Sequence, residues 1–568
     1  NDLPPVFSKE NAVVVPARWI ICACGIVGLF LANVQAAPRL AAIFGDQMVL
    51  QQGRAVSIWG WADAGEKIEV EFAGQKRATE AGDDGNWSVT LEPLEASFEE
   101  RDLVVEGAGE KVTLARVLVG EVWLCGGQSN MAMILRSTVN RDLEIASADY
   151  TAIRFLRVPL ISRGAPQQDL PAAVAGKGEG NWQTCTPDRV GECSGVAYYF
   201  GRRLHRLLKV PVGLVDVSWG GTMAQHWVSE EKLRPLETMQ PYFEDYEERL
   251  AHWKTFGGEA GARKAYELAL ATWEKDNEEA LKKGERVPGR PNAGQYEDPG
   301  KQRHPAGMYN GMIHPIRGFV FRGILFYQGE NNSFGVSWKP YPQTLPLVIK
   351  EWRESFGELP FGIIQIAGWS NRRTMTYDMN HHTNVIREVQ FDVWQRTEKS
   401  GLIVTYDTNS NQSIHPGAKQ PVGDRSARWA LSEVYMRKDT DGRQPLSWKG
   451  PVYEAYEVRD GKLVISFTGK TSRGLRLDQD DEVGFYIAGD NREFHHARVR
   501  VIREENVEKL LVWSDDVEQP VAVRYAWSNL PVGRLMNHLE LPAYPFRTDD
   551  WPLTPHQSTG DYHRSTQK

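Results

Sequence analysis

"VWLCGGQSNM", residues 122–131, runs from strand-forming residues into two glycines, a glutamine and a lone serine. Val122, Trp123 and Leu124 read as a buried strand. Gly126 and Gly127 then permit a tight turn, and Ser129 stands just past it. Two readings compete. Serine is a favoured helix N-cap, so a turn followed by a helix accounts for it. A hydroxyl at the end of a buried strand, where a helix start leaves N–H groups open, is also the setting of a nucleophile.

The flanking sequence repeats the pattern. "VLVGEVWLC", "VPVGLVDVSW", "GFVFRGILFYQ", "FGIIQIAG" and "GLIVTYD" are short apolar runs separated by amphipathic stretches such as "VAYYFGRRLHRLLK" and "YPQTLPLVIKEWRESFG". Buried runs alternating with helices predict an α/β domain with parallel strands covered on both faces, over residues 116–440. Ligands of such open sheets bind beyond the carboxyl ends of the strands. Ser129 follows the first of these runs. A charged helical pair at about 230–300 interrupts the pattern, either as a surface elaboration or as a lid or a wall of the substrate cleft.

On either side the period changes to that of antiparallel strands. Residues 38–115 contain "VSIWGWADAGEKIEVEF" and "GNWSVTLEPL", with Asp84-Gly85 expected to turn a hairpin. Residues 441–550 contain "KLVISFTG", "HARVRVIRE" and "KLLVWSD", which predict a β-sandwich. Residues 551–568 read as a polar, disordered tail. A chain of 568 residues needs several cores, in keeping with this division.

Composition narrows the function. A net charge of −8 over this length is mild and argues against nucleic acid as the main partner, which would need a concentrated basic surface. Nineteen Trp exceed ordinary usage and suit stacking on sugar faces, although buried packing accounts for most such residues. The run "WIICACGIVGLFLANVQAAP", preceded by Arg18, predicts within residues 1–37 a secretory signal cleaved after Ala36, or an uncleaved anchor. The protein is therefore expected to be exported, to the periplasm, the exterior or a membrane surface. Cys185 and Cys193 could pair there. No Cys-x-x-Cys pair is present, so a metal is not expected.

A serine nucleophile needs a base and donors for the oxyanion. Of 13 histidines, His415 in "YDTNSNQSIHPGAKQPVGDRSARWAL" follows a buried run, as Ser129 does. His304 and His314 precede the run at 318–328 and are expected at the opposite end of the sheet, as structural residues. "VSWGGT" offers the backbone of Gly220 and Gly221, and "LFYQGENN" offers Gln328, Glu330, Asn331 and Asn332. Residue 131 is Met, so the serine is not on the Gly-x-Ser-x-Gly elbow of α/β-hydrolases.

Ser, Gly, Asn and His in this chain order, each after a different buried run, resemble the SGNH (GDSL-type) hydrolase superfamily. More closely, "GGQSNM", "SWGGT", "YQGENN" and "IHPGAKQPVG" resemble bacterial sialate O-acetylesterases and related carbohydrate acetylesterases. "VAVRYAWSN" and "LPAYPFRTDDW" extend the likeness over about 38–552. The resemblance implies a flavodoxin-like three-layer α/β domain flanked by antiparallel β domains. It implies hydrolysis of acetyl esters on an O-acetylated carbohydrate, without metal or organic cofactor. Ser129 would be the nucleophile and His415 the base. The N–H groups of Ser129 and Gly221 and an amide of Asn331 or Gln328 would form the oxyanion hole. Glu330 would order its loop. One departure stands out: relatives usually carry an Asp close before the His, where this chain has Ser413, with Gln412 preceding it. Asp407 is the nearest upstream acid for a third member. Without one, a sugar-binding protein with a disabled esterase core becomes an alternative, beside an esterase of non-sugar esters.

Overall fold

The computed structural model describes residues 37–171, 179–368, 379–410, 413–439, 441–477 and 484–552. The apolar run at 19–36 and residues 553–568 of the expected tail lie outside these.

The apolar runs form the central sheet. Its strands are β1 (Glu110–Gly127), β2 (Tyr150–Arg157), β3 (Trp182–Cys185), β4 (Val212–Asp216), β5 (Gly323–Tyr327), β6 (Phe361–Ile364) and β7 (Ser400–Ile403). They lie side by side in the order β3-β2-β4-β1-β5-β6-β7. All neighbours are parallel except β3, which runs antiparallel to β2 at the edge. Counted alone, β4-β1-β5-β6-β7 has the 2-1-3-4-5 order of a flavodoxin-like sheet.

Register brings the strand ends together. Asp216 pairs with Cys125, Tyr327 with Gly127 and Ile364, and Ile364 with Ile403. The loops that begin at 128, 217, 328 and 404 therefore leave one edge of the sheet as neighbours.

Helices cover both faces. Trp123 of β1 packs edge-on against Phe200 of α2 (Gly195–Leu208) at 4.8 Å and Trp429 of α7 (Gln420–Trp429) at 6.1 Å. Each such aromatic pair adds about 0.5–1.5 kcal/mol beyond its buried area. Gly126, three residues on and so on the other face, lies under Trp352 of α5 (Tyr341–Phe356). A short α1 (Ser129–Ala132) starts directly after β1. The interruption at 230–300 contains α3 (Gln240–Lys254) and α4 (Glu259–Lys283), and α6 (His382–Arg396) packs beside α5.

Three details differ from the sequence reading. The expected boundary at 115/116 falls inside one strand. The first part of β1 pairs antiparallel with Ser97–Gly107 and its end joins the parallel sheet. A break in register marks the change, and Arg116 there has φ +58°, as at a β-bulge. The Asp84-Gly85 turn exists, with Gly85 at φ +76°, but it closes no hairpin. Gln75–Glu80 pairs with Lys67–Phe72, whereas Asn86–Leu91 pairs with Val56–Trp61 in another sheet. Cys185 and Cys193 are buried with free thiols. Among the described residues beyond 450 lie two four-stranded antiparallel sheets and a two-stranded ribbon.

Candidate active site

Two glycines let β1 end as it does. A Cβ on Gly126 would stand 2.3 Å from the Trp352 ring. Gly127 has φ +129°, and a Cβ there would stand 2.1 Å from the carbonyl oxygen of Tyr327 on β5. Only glycine allows this close strand pairing together with that turn. Gln128 follows, buried, its N–H bonded to the Tyr327 carbonyl at 2.9 Å. Ser129 then opens α1.

His415 reaches Ser129 from the loop after β7. Its Nε2 lies 2.7 Å from Ser129 Oγ. The backbone N–H of His415 donates to Ser413 Oγ at 3.0 Å. Burial lowers the pKa of the imidazole, and the positive charge of Lys419 lowers it further. The ring therefore stays neutral, and able to accept a proton, to more acidic pH than an ordinary histidine.

Asp407 does not join this pair. It faces Arg425 on α7 in a two-pronged ion pair, with contacts of 2.7 and 2.5 Å. A guanidinium fork matches a carboxylate in this way, and it turns Asp407 onto the helix. Among the described residues, no carboxylate shifts His415.

The loop after β4 passes against the serine. A Cβ on Gly220 would meet Ser129 Cβ at 3.3 Å. Gly221 adopts φ +73°, and its carbonyl accepts from Asn331 Nδ2 at 2.8 Å. Asn331 thus lies beside Gly221. Gln328 does not face the cavity. Its amide nitrogen is buried against Gln128 Oε1, the Thr222 carbonyl and Asn332 Oδ1 at 3.2, 3.2 and 2.8 Å. A side-chain amide has two N–H groups, and these inward acceptors occupy them. Gln328 is a brace, whereas Asn331 lines the cavity. Glu330 is buried and holds Asn130 Nδ2 at 2.5 Å, as expected for a loop-ordering residue.

A cavity of about 420 Å³ opens beside Gly221 and Asn331. Its walls include Trp219, Tyr242, Arg249, Arg303 and His304. Tyr242 and Arg249 come from α3, so the first of the two inserted helices supplies part of a wall of the cavity. His304 corrects an expectation. It lies by the strand ends, stacked on Tyr246 of α3 at 4.2 Å, because the chain leaving the insertion crosses the cavity before it returns to β5. Burial pushes its pKa down to about 4. Arg303 Nη1 donates to the Gly220 carbonyl at 3.0 Å.

Sequence reasoning missed Gln128, Asn130 and Lys419. Gln128 Oε1 accepts from the N–H groups of Gly329 and Asn331 at 3.3 and 3.1 Å, and so shapes the facing loop. A signal existed: both neighbours of Ser129 are amides at the exit of a buried strand, where an unpaired polar group is costly. Lys419 carried no signal, since lysine at the start of a helix is ordinarily solvated.

The fold is shared with a carbohydrate acetylesterase. The crystal structure of that enzyme, from Xanthomonas citri, superposes with a TM-score of 0.71 at 27% identity, covering 90% of this chain and all of that one. In sequence the chain is a homologue of the sialate O-acetylesterases. It is 27% identical over 542 residues to that of Mus musculus, covering 89% of this chain and 93% of the mouse protein. It is 26% identical over 541 residues to that of Homo sapiens, covering 87% and 88%. No protein-family model matches the chain.

Proposed function

We propose that this protein is a carbohydrate O-acetylesterase that works through Ser129 and His415. The observation that carries the reading is the 2.7 Å contact between Ser129 Oγ and His415 Nε2, beside a cavity of about 420 Å³. His415, with its proton on Nδ1, takes the Ser129 proton as Oγ attacks the acetyl carbonyl. The N–H groups of Ser129 and Gly221 and the Asn331 amide meet the oxyanion. His415 then protonates the departing sugar oxygen and leaves an acetyl-enzyme. Water, activated by the same histidine, frees acetate. The sugar occupies the cavity, which Trp219 and Arg303 line. The apolar run at 19–36 supports an exported enzyme.

Acetate release from a panel of acetylated sialate, xylan and xyloglucan tests this. Release from at least one sugar is expected, with long-chain acyl esters cleaved poorly. Binding of an acetylated glycan without release would overturn the esterase and leave a binding protein. Preference for long acyl chains would move the assignment to non-sugar esters.

The oxyanion role of Asn331 has its own consequence. Loss of one preorganised donor costs about 10²–10³-fold in kcat. Asn331→Ala is expected to show that loss in steady-state kinetics with KM little changed. A fall confined to KM would make Asn331 a ground-state contact instead.

A further inference from the structure

Beneath the Ser129–His415 pair lies a buried polar chain that the proposed reaction does not use. Lys419 is 1% exposed, Asn130 0% and Glu330 3%. Lys419 Nζ donates to Asn130 Oδ1 at 2.5 Å. Asn130 Nδ2 donates to Glu330 Oε1 at 2.5 Å and to the Ile414 carbonyl at 3.1 Å. Asn130 directly follows the serine, and Ile414 directly precedes the histidine. Both N–H groups of the amide are thereby taken up.

A buried lysine is costly unless it is paired. Here it meets an amide oxygen, and the Tyr327 ring lies 5.3 Å away. Its charge makes the arrangement one-way. With an ammonium on one side and a carboxylate on the other, the Asn130 oxygen must face Lys419 and its NH₂ must face Glu330. That orientation also sends an N–H to Ile414. Reversing the amide would point NH₂ at the ammonium and release the His415 loop.

We propose that Lys419 is a positioning residue for the reaction: through Asn130 it ties the turn that carries Ser129 to the loop that carries His415. The inference rests on Ser129 and His415 being the reacting pair.

The same lysine acts on the histidine through its charge. The titratable groups around Lys419 are Glu330, from the loop after β5, and His415, from its own loop; Tyr327 of β5 presents a ring face. Burial pushes Lys419 down against the pull of Glu330, and pushes Glu330 up. The ammonium gains charge as pH falls, so its charge is most present over the acid limb. There it opposes protonation of His415 and keeps the base neutral.

Lys419→Met tests both effects. We expect kcat on an acetyl ester to fall about 10–100-fold, the scale of a misplaced reacting group, with KM within about twofold. The acid limb of kcat/KM is expected to move to higher pH, because the charge that opposed His415 protonation is gone. A purely structural lysine would leave that limb in place. The pH dependence of Ser129 labelling by a fluorophosphonate reads the same pair without a sugar. In that reaction Oγ displaces fluoride from phosphorus and the proton passes to His415.

Parent-like kcat and an unmoved acid limb in folded Lys419→Met would overturn the proposal. Should that variant not fold, Asn130→Ser removes the strap and keeps the lysine. It is expected to lose kcat with the acid limb retained, and unchanged kcat would again overturn the proposal. A parent that neither releases acetate nor reacts with the fluorophosphonate would instead overturn the assignment of Ser129 and His415.

Discussion

Ser129→Ala is expected to abolish acetate release, with kcat reduced about 10⁶-fold, the scale found when a serine nucleophile is removed from a working unit. The hydroxyl is half-buried and its contact is the imidazole of His415, so its loss leaves packing intact. His415→Ala is expected to cost a comparable factor. The double variant Ser129→Ala/His415→Ala should be little worse than either alone, because base and nucleophile act as one unit. Steady-state kinetics and an unchanged melting temperature check this. Hydrolysis within tenfold of the parent in Ser129→Ala would exclude that serine as the nucleophile, whatever the fold of the relatives.

Gly127→Ala is expected to be the most damaging single-methyl addition near the site. The residue sits at φ +129°, and the new Cβ would come within 2.1 Å of the Tyr327 carbonyl oxygen. Backbone strain and overpacking each cost about 1–3 kcal/mol, so the sum is about 3 kcal/mol or more. Gly74→Ala is the control. Gly74 also has positive φ, +77°, but nothing lies within 4 Å of its would-be Cβ. Its cost should be limited to the left-handed conformation, about 1–2 kcal/mol. Thermal unfolding of the two variants separates strain from collision. Equal losses would show that the strand pair yields at Tyr327 and that the turn holding Ser129 is less rigid than its contacts require. Activity should follow, since any shift at 127 moves Ser129 two residues on.

The candidate site was legible in part. Ser129, Gly221, Asn331 and His415 were readable because each follows an apolar run, and such runs become strands whose ends share one edge. The third member was not. Asp407 is close to His415 along the chain, but Arg425 on α7 offers it a forked partner, and that pairing depends on how the helix packs. Gln328 and Asn331 are both amides in one short loop. Only the packing of Gln128, Thr222 and Asn332 turns the first inward, while the second stays by the cavity. His304 was misplaced for a related reason: its neighbours in sequence precede β5, yet the returning chain lays it on Tyr246 of α3.

The sequence by itself determined the alternation of buried strands and helices, the antiparallel segments on either side, and the turn after β1. These are local matters: apolar period, glycine and turn chemistry act over a few residues. Tertiary structure alone decided that β1 runs unbroken from one sheet into another, and that the Asp84-Gly85 turn joins strands of different sheets. It also decided that Lys419, Asn130 and Glu330 meet beneath the serine. Strand pairing and the burial of a charge are settled between residues tens to hundreds of positions apart, where partner and solvent exposure, rather than residue type, set the free energy.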